Sequence, residues 1–169
     1  RPTVSELTAP AKVAAVIHET YRQLGIDQEW MTKGSENDIG YGKLHDFYKQ
    51  SNIAAANRMA GTLALIGLSL KRGRNSARER ENIRQRIEYN LELLAAAEHL
   101  GWMGWHLDQG WQYGPEKPPT KLAEEPVKKF HPCLRPYYEL SDEERNKDRN
   151  TIRHYQEFAD KAGLKIVNA

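Results

Sequence analysis

Apolar residues recur at helical spacing in several separate stretches of the chain. From about Pro10 to Leu24, Val13, Val16, Ile17, Thr20 and Leu24 share one face, with Ala14, His18 and Tyr21 beside it, which predicts a helix stopped by Gly25. The pattern dissolves among glycines and charges from Ile26 to Gly42. It resumes in a second helix from about Leu44 to Ile66, closed by Gly67, with Leu68 packing back on the helix it follows. Lys71 to Asn75 reads as a basic turn, after which Ser76 and Glu79 have the spacing of a capping box. The third helix opens there and is expected to run to about Gln109. It carries Ile83, Ile87, Leu91 and Leu94 on one stripe, and Leu93, Ala96, Leu100, Met103 and Leu107 on another, which predicts packing on both sides. Gly101 and Gly104 weaken it locally or admit another backbone. Ser141 and Glu144 repeat the capping-box spacing and open a last helix that ends near Gly163 and Leu164. Short strands are predicted at Trp111 to Tyr113 and Lys165 to Val167. The expected fold class is mainly α with small β elements.

The two halves align. Leu44, Gly67 and Leu68 match Leu140, Gly163 and Leu164 at one constant offset, with Met59 and Tyr155 in the same register. The earlier helices match at a shorter offset that pairs His18 with His99 and Tyr21 with Trp102. A two-helix unit of this size cannot bury its apolar face alone, so the alignment predicts two pseudo-symmetric helical repeats packed together. One domain over residues 1–169 is expected, with a degenerate repeat at 10–75 and a complete repeat at 76–169 carrying a long proline-rich loop over 114–136.

Composition narrows the setting. With 169 residues, 39% hydrophobic and 28% charged, the chain can bury one ordinary core. A formal charge of +2 gives no global field towards nucleic acid or an anionic membrane. The basic run from Lys71 to Arg86 is interrupted by Glu79 and Glu81 and holds no aromatic residue, so it reads as a solvated face and nucleic acid is not an expected partner. The longest apolar runs are too short to span a bilayer, so no membrane partner is expected. The lone Cys133 excludes an internal disulfide framework and fits a reducing compartment, so a cytoplasmic location is expected. The start at Arg1 leaves room for fused or neighbouring signalling domains.

His99 and Trp102 stand three apart on one helical face with His106 four further on, and the first spacing recurs as His18 and Tyr21. Two readings stay open. If the halves pack symmetrically, Tyr21 and Trp102 both point into the seam and form a slot for a flat ring; otherwise they are core aromatics beside hydrogen-bonded histidines. His131 and Cys133 suggest a nucleophile pair, but Pro132 between them and the lack of a third orienting group favour a packed loop corner. No zinc-ligand spacing, carboxylate cluster or nucleophile constellation occurs, so neither a cofactor nor an enzymatic activity is expected.

The more specific signal is the series His99-x-x-Trp102, Gly110-Trp111-x-Tyr113-Gly114-Pro115, His131-Pro132-Cys133-Leu134-x-Pro136-Tyr137, then Leu140 and Asp148-Arg149. This series resembles the RyR domain, the repeat of ryanodine receptors that also occurs in bacterial and phage proteins, over roughly residues 88–168. The first half resembles a degenerate partner copy through His18, Tyr21 and the Ser51-Asn52 helix. The resemblance implies a compact non-catalytic module that binds a small molecule, in the adenine-nucleotide class, between the aromatics at Trp102 and Tyr21. The implied ligand-binding set is Tyr21, Trp102, His18, His99, His106, Trp105, Trp111, Tyr113, Arg22 and Arg149. The sequence departs from the family in having His106 where an arginine is common and a longer loop from Glu116 to Phe130. Phosphate contact is therefore expected from Arg22, Arg149, Lys117 or Lys121. The alternative reading is a protein-interaction module that docks through the proline-rich loop.

Overall fold

The computed structural model describes all residues, Arg1–Ala169. Its architecture is mainly helical with two small sheets. A short α1 (Val4–Leu7) precedes α2 (Pro10–Asp27), with Pro10 at its start, where a missing N–H costs nothing. A single turn at Tyr41–Lys43 leads into α3 (Asp46–Ala64), and β1 (Leu68–Arg72) follows. Next come α4 (Ala77–Tyr89), α5 (Leu91–Asp108) and the two short strands β2 (Gln112–Tyr113) and β3 (Phe130–His131). A turn at Tyr137–Glu139 then leads to α6 (Asp142–Arg153), α7 (Tyr155–Lys161) and β4 (Leu164–Asn168).

Both capping boxes form, with Ser76 accepting from Glu79 N at 3.2 Å and Ser141 accepting from Glu144 N at 3.1 Å. Gly67 (φ 71°) and Gly163 (φ 75°) each end a helix in the left-handed region and turn the chain into a strand. Those strands pair antiparallel, β1 with β4, placing Leu70 opposite Ile166 and joining the end of the first half to the end of the second. Leu68 therefore enters a strand rather than packing back on its helix, and Lys71 and Arg72 are strand residues rather than a turn. Asn75 closes the sheet edge by exchanging hydrogen bonds with the backbone of Ile166 at 2.8 and 2.9 Å.

Three helix boundaries differ from expectation. Gly25 lies inside α2, where the Trp30 ring and the Met31 side chain fold back over it and a Cβ would stand 2.8 Å from the Trp30 ring. The long third helix divides at Asn90, whose amide donates to the Arg86 carbonyl at 2.8 Å in competition with the helical ladder. The last helix divides in the same way at His154, whose Nδ1 donates to the Asn150 carbonyl at 2.6 Å.

Twenty-four buried residues form one core, from Val4 and Val13 through Leu94 to Ile166. The first stripe of the third helix, Ile83, Ile87, Leu91 and Leu94, is in it. The second is not. Leu93, Leu100 and Leu107 are 52%, 65% and 50% exposed, so α5 packs on one side only. No helix is long and apolar enough to cross a membrane. Three members of the basic run are tied into the fold: Arg72 donates to the Leu7 carbonyl, Arg80 pairs with Asp160, and Arg86 donates to the Ile66 carbonyl.

Gly101 permits the closest approach between α3 and α5. A Cβ at Gly101 would overlap the Arg58 Cδ, in the middle of a side chain pinned at its far end by Glu98. Gly101→Ala should therefore cost about 1–3 kcal/mol despite the better helix propensity of alanine. Urea denaturation reads this, and an unchanged or raised midpoint would contradict the close fit.

Candidate functional site

The sequence places a carboxylate on the core stripe of α5, where Glu98 continues the spacing of Leu91 and Leu94. A buried charge there needs a partner. Arg58 of α3 supplies it in a two-pronged bond, at 2.8 and 3.2 Å to the two carboxylate oxygens. Burial still pushes the Glu98 pKa above the usual carboxylate value. The Tyr155 hydroxyl reaches the same carboxylate at 3.5 Å. Beside this group the Tyr21 hydroxyl bonds Thr151 of α6, and its ring packs at 6.4 Å from Phe158. The seam between α2, α3, α5 and α6 is therefore polar as well as aromatic.

His99 sits one residue further along α5. Its Nε2 donates to the Arg135 carbonyl at 2.7 Å and its Nδ1 faces Asp148 at 3.3 Å. Burial opposes the imidazolium, but Asp148 and the Arg135 carbonyl outweigh it and raise the His99 pKa. His18 makes the corresponding bond in the first half, donating from Nε2 to the Ile39 carbonyl at 2.7 Å.

Trp102, half-buried at the edge of the core, is ringed by three histidines. The His99 ring lies at 5.6 Å and nearly parallel to it, His106 at 4.2 Å, and His131 edge-on at 4.9 Å. The His106 Nδ1 donates to the Trp102 carbonyl at 2.8 Å, and burial lowers its pKa to about 4. It is uncharged at neutral pH. The pKa of His131 is likewise lowered to about 4, first by burial and then by Lys117. Its Nδ1 accepts from the Cys133 backbone N–H at 3.0 Å, which fixes the proton on Nε2, on the other edge of the ring.

That bond also decides the role of Cys133. The thiol donates to Glu144 at 2.8 Å rather than to an imidazole, and burial with the Glu144 charge pushes its pKa up to about 12. It is a packed thiol at a loop corner, not a nucleophile.

The remaining expected site residues fall into separate places. Trp105 and Trp111 pack around Phe47 at 5.3 Å each, Trp111 stacked and with its indole N–H meeting no acceptor. His106 lies edge-on to both, linking them to Trp102. Tyr113 is exposed on β2, lining a cavity of about 710 Å³ in the proline-rich loop. Arg22 is held by Asp38 at 2.6 Å and Glu19 at 3.1 Å, beside the connection after α2. Arg149 is held by Glu92 at 2.6 Å and Asp142 at 2.9 Å, and lines a cavity of about 510 Å³ at the start of α5. Both arginines are thus committed to carboxylates and stand apart from Trp102.

Lys117 and Lys147 are paired with no carboxylate. Lys117 is exposed, yet crowding by the loop lowers its pKa, with repulsion from Lys147 second and with Cys133 near enough to act on it. Lys147 also acts on His131. Both ammonium groups are therefore near enough to act on His131, whose ring meets Trp102.

Sequence reasoning missed Arg58, Glu98, Phe47 and Lys147, and it read His131 as part of a packed loop corner rather than as a neighbour of Trp102. Glu98 carried a readable signal, a carboxylate inside an apolar stripe. The others are brought in by α3, α6 and the loop, and nothing local marks them.

The sequence matches the model of one protein family, described as the RyR domain, over residues 79–167. No curated protein matches the chain.

Proposed function

This chain belongs to the RyR domain family, and from that premise we propose that it is a non-catalytic module that binds a planar, anionic small molecule of the adenine-nucleotide class beside Trp102. The observation that carries the reading is the half-buried Trp102 ring with His131 edge-on to it at 4.9 Å, a ring whose Nε2–H is left free and on which the unpaired Lys117 and Lys147 both act. An aromatic face stacks a base, and ammonium groups receive phosphate as point charges. Tyr21 serves as the opposing wall, contributed by the first half acting as a repeat partner. The matched His18 and His99 bonds to loop carbonyls support that pairing. Binding would bias a neighbouring signalling domain, in a cytoplasmic setting that the unpaired Cys133 thiol fits.

Calorimetric titration with ATP, ADP, ADP-ribose and cyclic nucleotides tests this. Binding of one of them is expected, weakened by Trp102→Ala by roughly 1–3 kcal/mol, about five- to 150-fold. Lys117→Ala and Lys147→Ala should weaken the polyphosphates more than adenosine. No heat with any nucleotide removes the reading.

A second reading, docking of a protein through the proline-rich loop, is favoured by one observation. The loop cavity exposes Val127 (91%) and Tyr113 (52%) beside a row of prolines. The middle of the loop is not free for it, since Leu122 accepts from His45 N at 2.7 Å and Asn37 bonds Thr120 and Leu122 at 3.0 Å. Val127→Ser is therefore the informative variant, because deleting the segment would also cut these ties.

A further inference from the structure

The loop corner from His131 to Arg135 is fastened by two imidazoles that need opposite proton counts. His131 accepts the Cys133 backbone N–H on its own Nδ1 at 3.0 Å, so that nitrogen must be a bare lone pair. A second proton on this ring would set donor against donor and break the bond. His99, on α5, faces an acceptor at each nitrogen: the Arg135 carbonyl lies 2.7 Å from Nε2, and the Asp148 carboxylate of α6 lies 3.3 Å from Nδ1. A neutral imidazole has one N–H to give. It would leave either Asp148 or the Arg135 carbonyl against a lone pair, and the His99 side chain is only 3% exposed, so water has little access to make up the loss.

The charged neighbours press each ring the way its bonds require. Burial disfavours an imidazolium at His131, and Lys117 of the loop, His106 of α5 and Lys147 of α6 add to it, with Glu144 alone opposing. At His99 burial disfavours the charge too, but Asp148, the Arg135 carbonyl and Glu98 outweigh it. The corner's other ties do not titrate in this range. The Cys133 thiol donates to Glu144 of α6 at 2.8 Å, and Arg135 pairs with the same carboxylate at 3.4 Å. Hydrogen bonds from that thiol and from the Ser141 N–H hold Glu144 at about 2, while burial and the Glu144 charge push the thiol up to about 12. The corner thus stays fixed to Glu144 while the two imidazoles change.

We propose that His99 and His131 form a two-sided pH latch, closing the loop corner on α5 and α6 only while His131 is neutral and His99 carries both ring protons. The hold of His131 is complete above its ordinary 6.5 and is lost as pH falls from there through about 4. The hold of His99 is complete below 6.5 and is lost as pH rises through its raised folded value. The latch is therefore tightest near 6.5. Away from it the corner opens more often, and His131 leaves the edge-on contact it makes with Trp102 at 4.9 Å. The latch does not rest on the ligand reading, since bonds within the chain set it.

Heteronuclear NMR of the imidazole rings in the 169-residue chain counts the protons directly. At about pH 7 the His99 ring is expected to show two protonated nitrogens and the His131 ring only Nε2–H. Between about pH 7 and about pH 5, hydrogen-exchange protection of the Cys133 amide should fall about 20-fold, the factor set by 6.5 in the open corner against about 4 in the closed one. His131→Asn should remove that fall, because an asparagine oxygen accepts the N–H two residues on and takes no proton. On the alkaline side protection should fall again as the His99 ring loses its second proton, and His99→Gln should remove this second fall. A His99 ring with a single proton at about pH 7, or one that keeps both at about pH 9, overturns the proposal. So does protection that stays level while either ring changes its proton count. An acid fall that persists unchanged in His131→Asn reports unfolding of the whole chain and overturns it as well.

Discussion

Replacing Arg58 by alanine is expected to destabilise the protein by about 3–5 kcal/mol, a large share of the roughly 5–15 kcal/mol that holds a domain folded. The Glu98 carboxylate it leaves behind is 95% buried as a side chain, with only the Tyr155 hydroxyl at 3.5 Å for company. The large effect comes from the stranded charge, not from the pair being a strong net stabiliser. The double substitution Arg58→Met with Glu98→Leu removes both charges and should therefore recover most of the loss. Urea unfolding of the three variants gives the cycle. If Arg58→Ala costs under about 1 kcal/mol, or the double variant is as unstable as the single, the stranded-charge account is wrong.

Stability should also fall as pH drops from about 6.5 to about 4. In the folded chain His106 and His131 titrate at about 4, whereas 6.5 is their ordinary value, so across this window the unfolded chain takes up protons that the folded chain refuses. A lowered histidine pKa contributes stability that is complete above 6.5 and lost as pH falls through that window. For His106 alone the loss is about 3 kcal/mol. His99 has the opposite sign. Its pKa is raised, so its contribution is full below 6.5 and fades as pH rises through the folded value. The carboxylates of Glu92 and Glu144, held at about 2 by their hydrogen bonds, lose theirs mainly below the histidine window. Urea midpoints at pH 7, 5.5 and 4.5 should decline steadily, and His106→Asn should flatten the decline. A midpoint that does not move between pH 7 and 4.5 would show that these rings are not held neutral by burial.

Much of the helical framework was legible because its signals are local. The Ser76/Glu79 and Ser141/Glu144 boxes bond within one turn, and Gly67 and Gly163 carry their left-handed turns wherever the rest of the chain goes. The strand at the end of the chain was legible for the same reason, from its alternation. Its partner β1 was not, because Lys71 and Arg72 look like a turn until Leu164 and Lys165 are laid beside them. The breaks at Asn90 and His154 escaped because the apolar pattern runs through both, while side chains bonding their own backbone interrupt the ladder.

The sequence by itself determined the family motifs, the two capped helices, the His99-Trp102-His106 face and the apolar second stripe of α5. It could do so because each depends on residues within a few positions of one another. Only the tertiary structure decided what those faces meet. It gave Glu98 its partner in Arg58 and turned Arg22 and Arg149 to carboxylates. It brought His131 and Lys147 towards Trp102 from the loop and α6, and it left Leu93, Leu100 and Leu107 uncovered. A charge or an apolar face fixes the need for a partner, but which group answers it depends on contacts between residues far apart in the chain, and no local pattern records them.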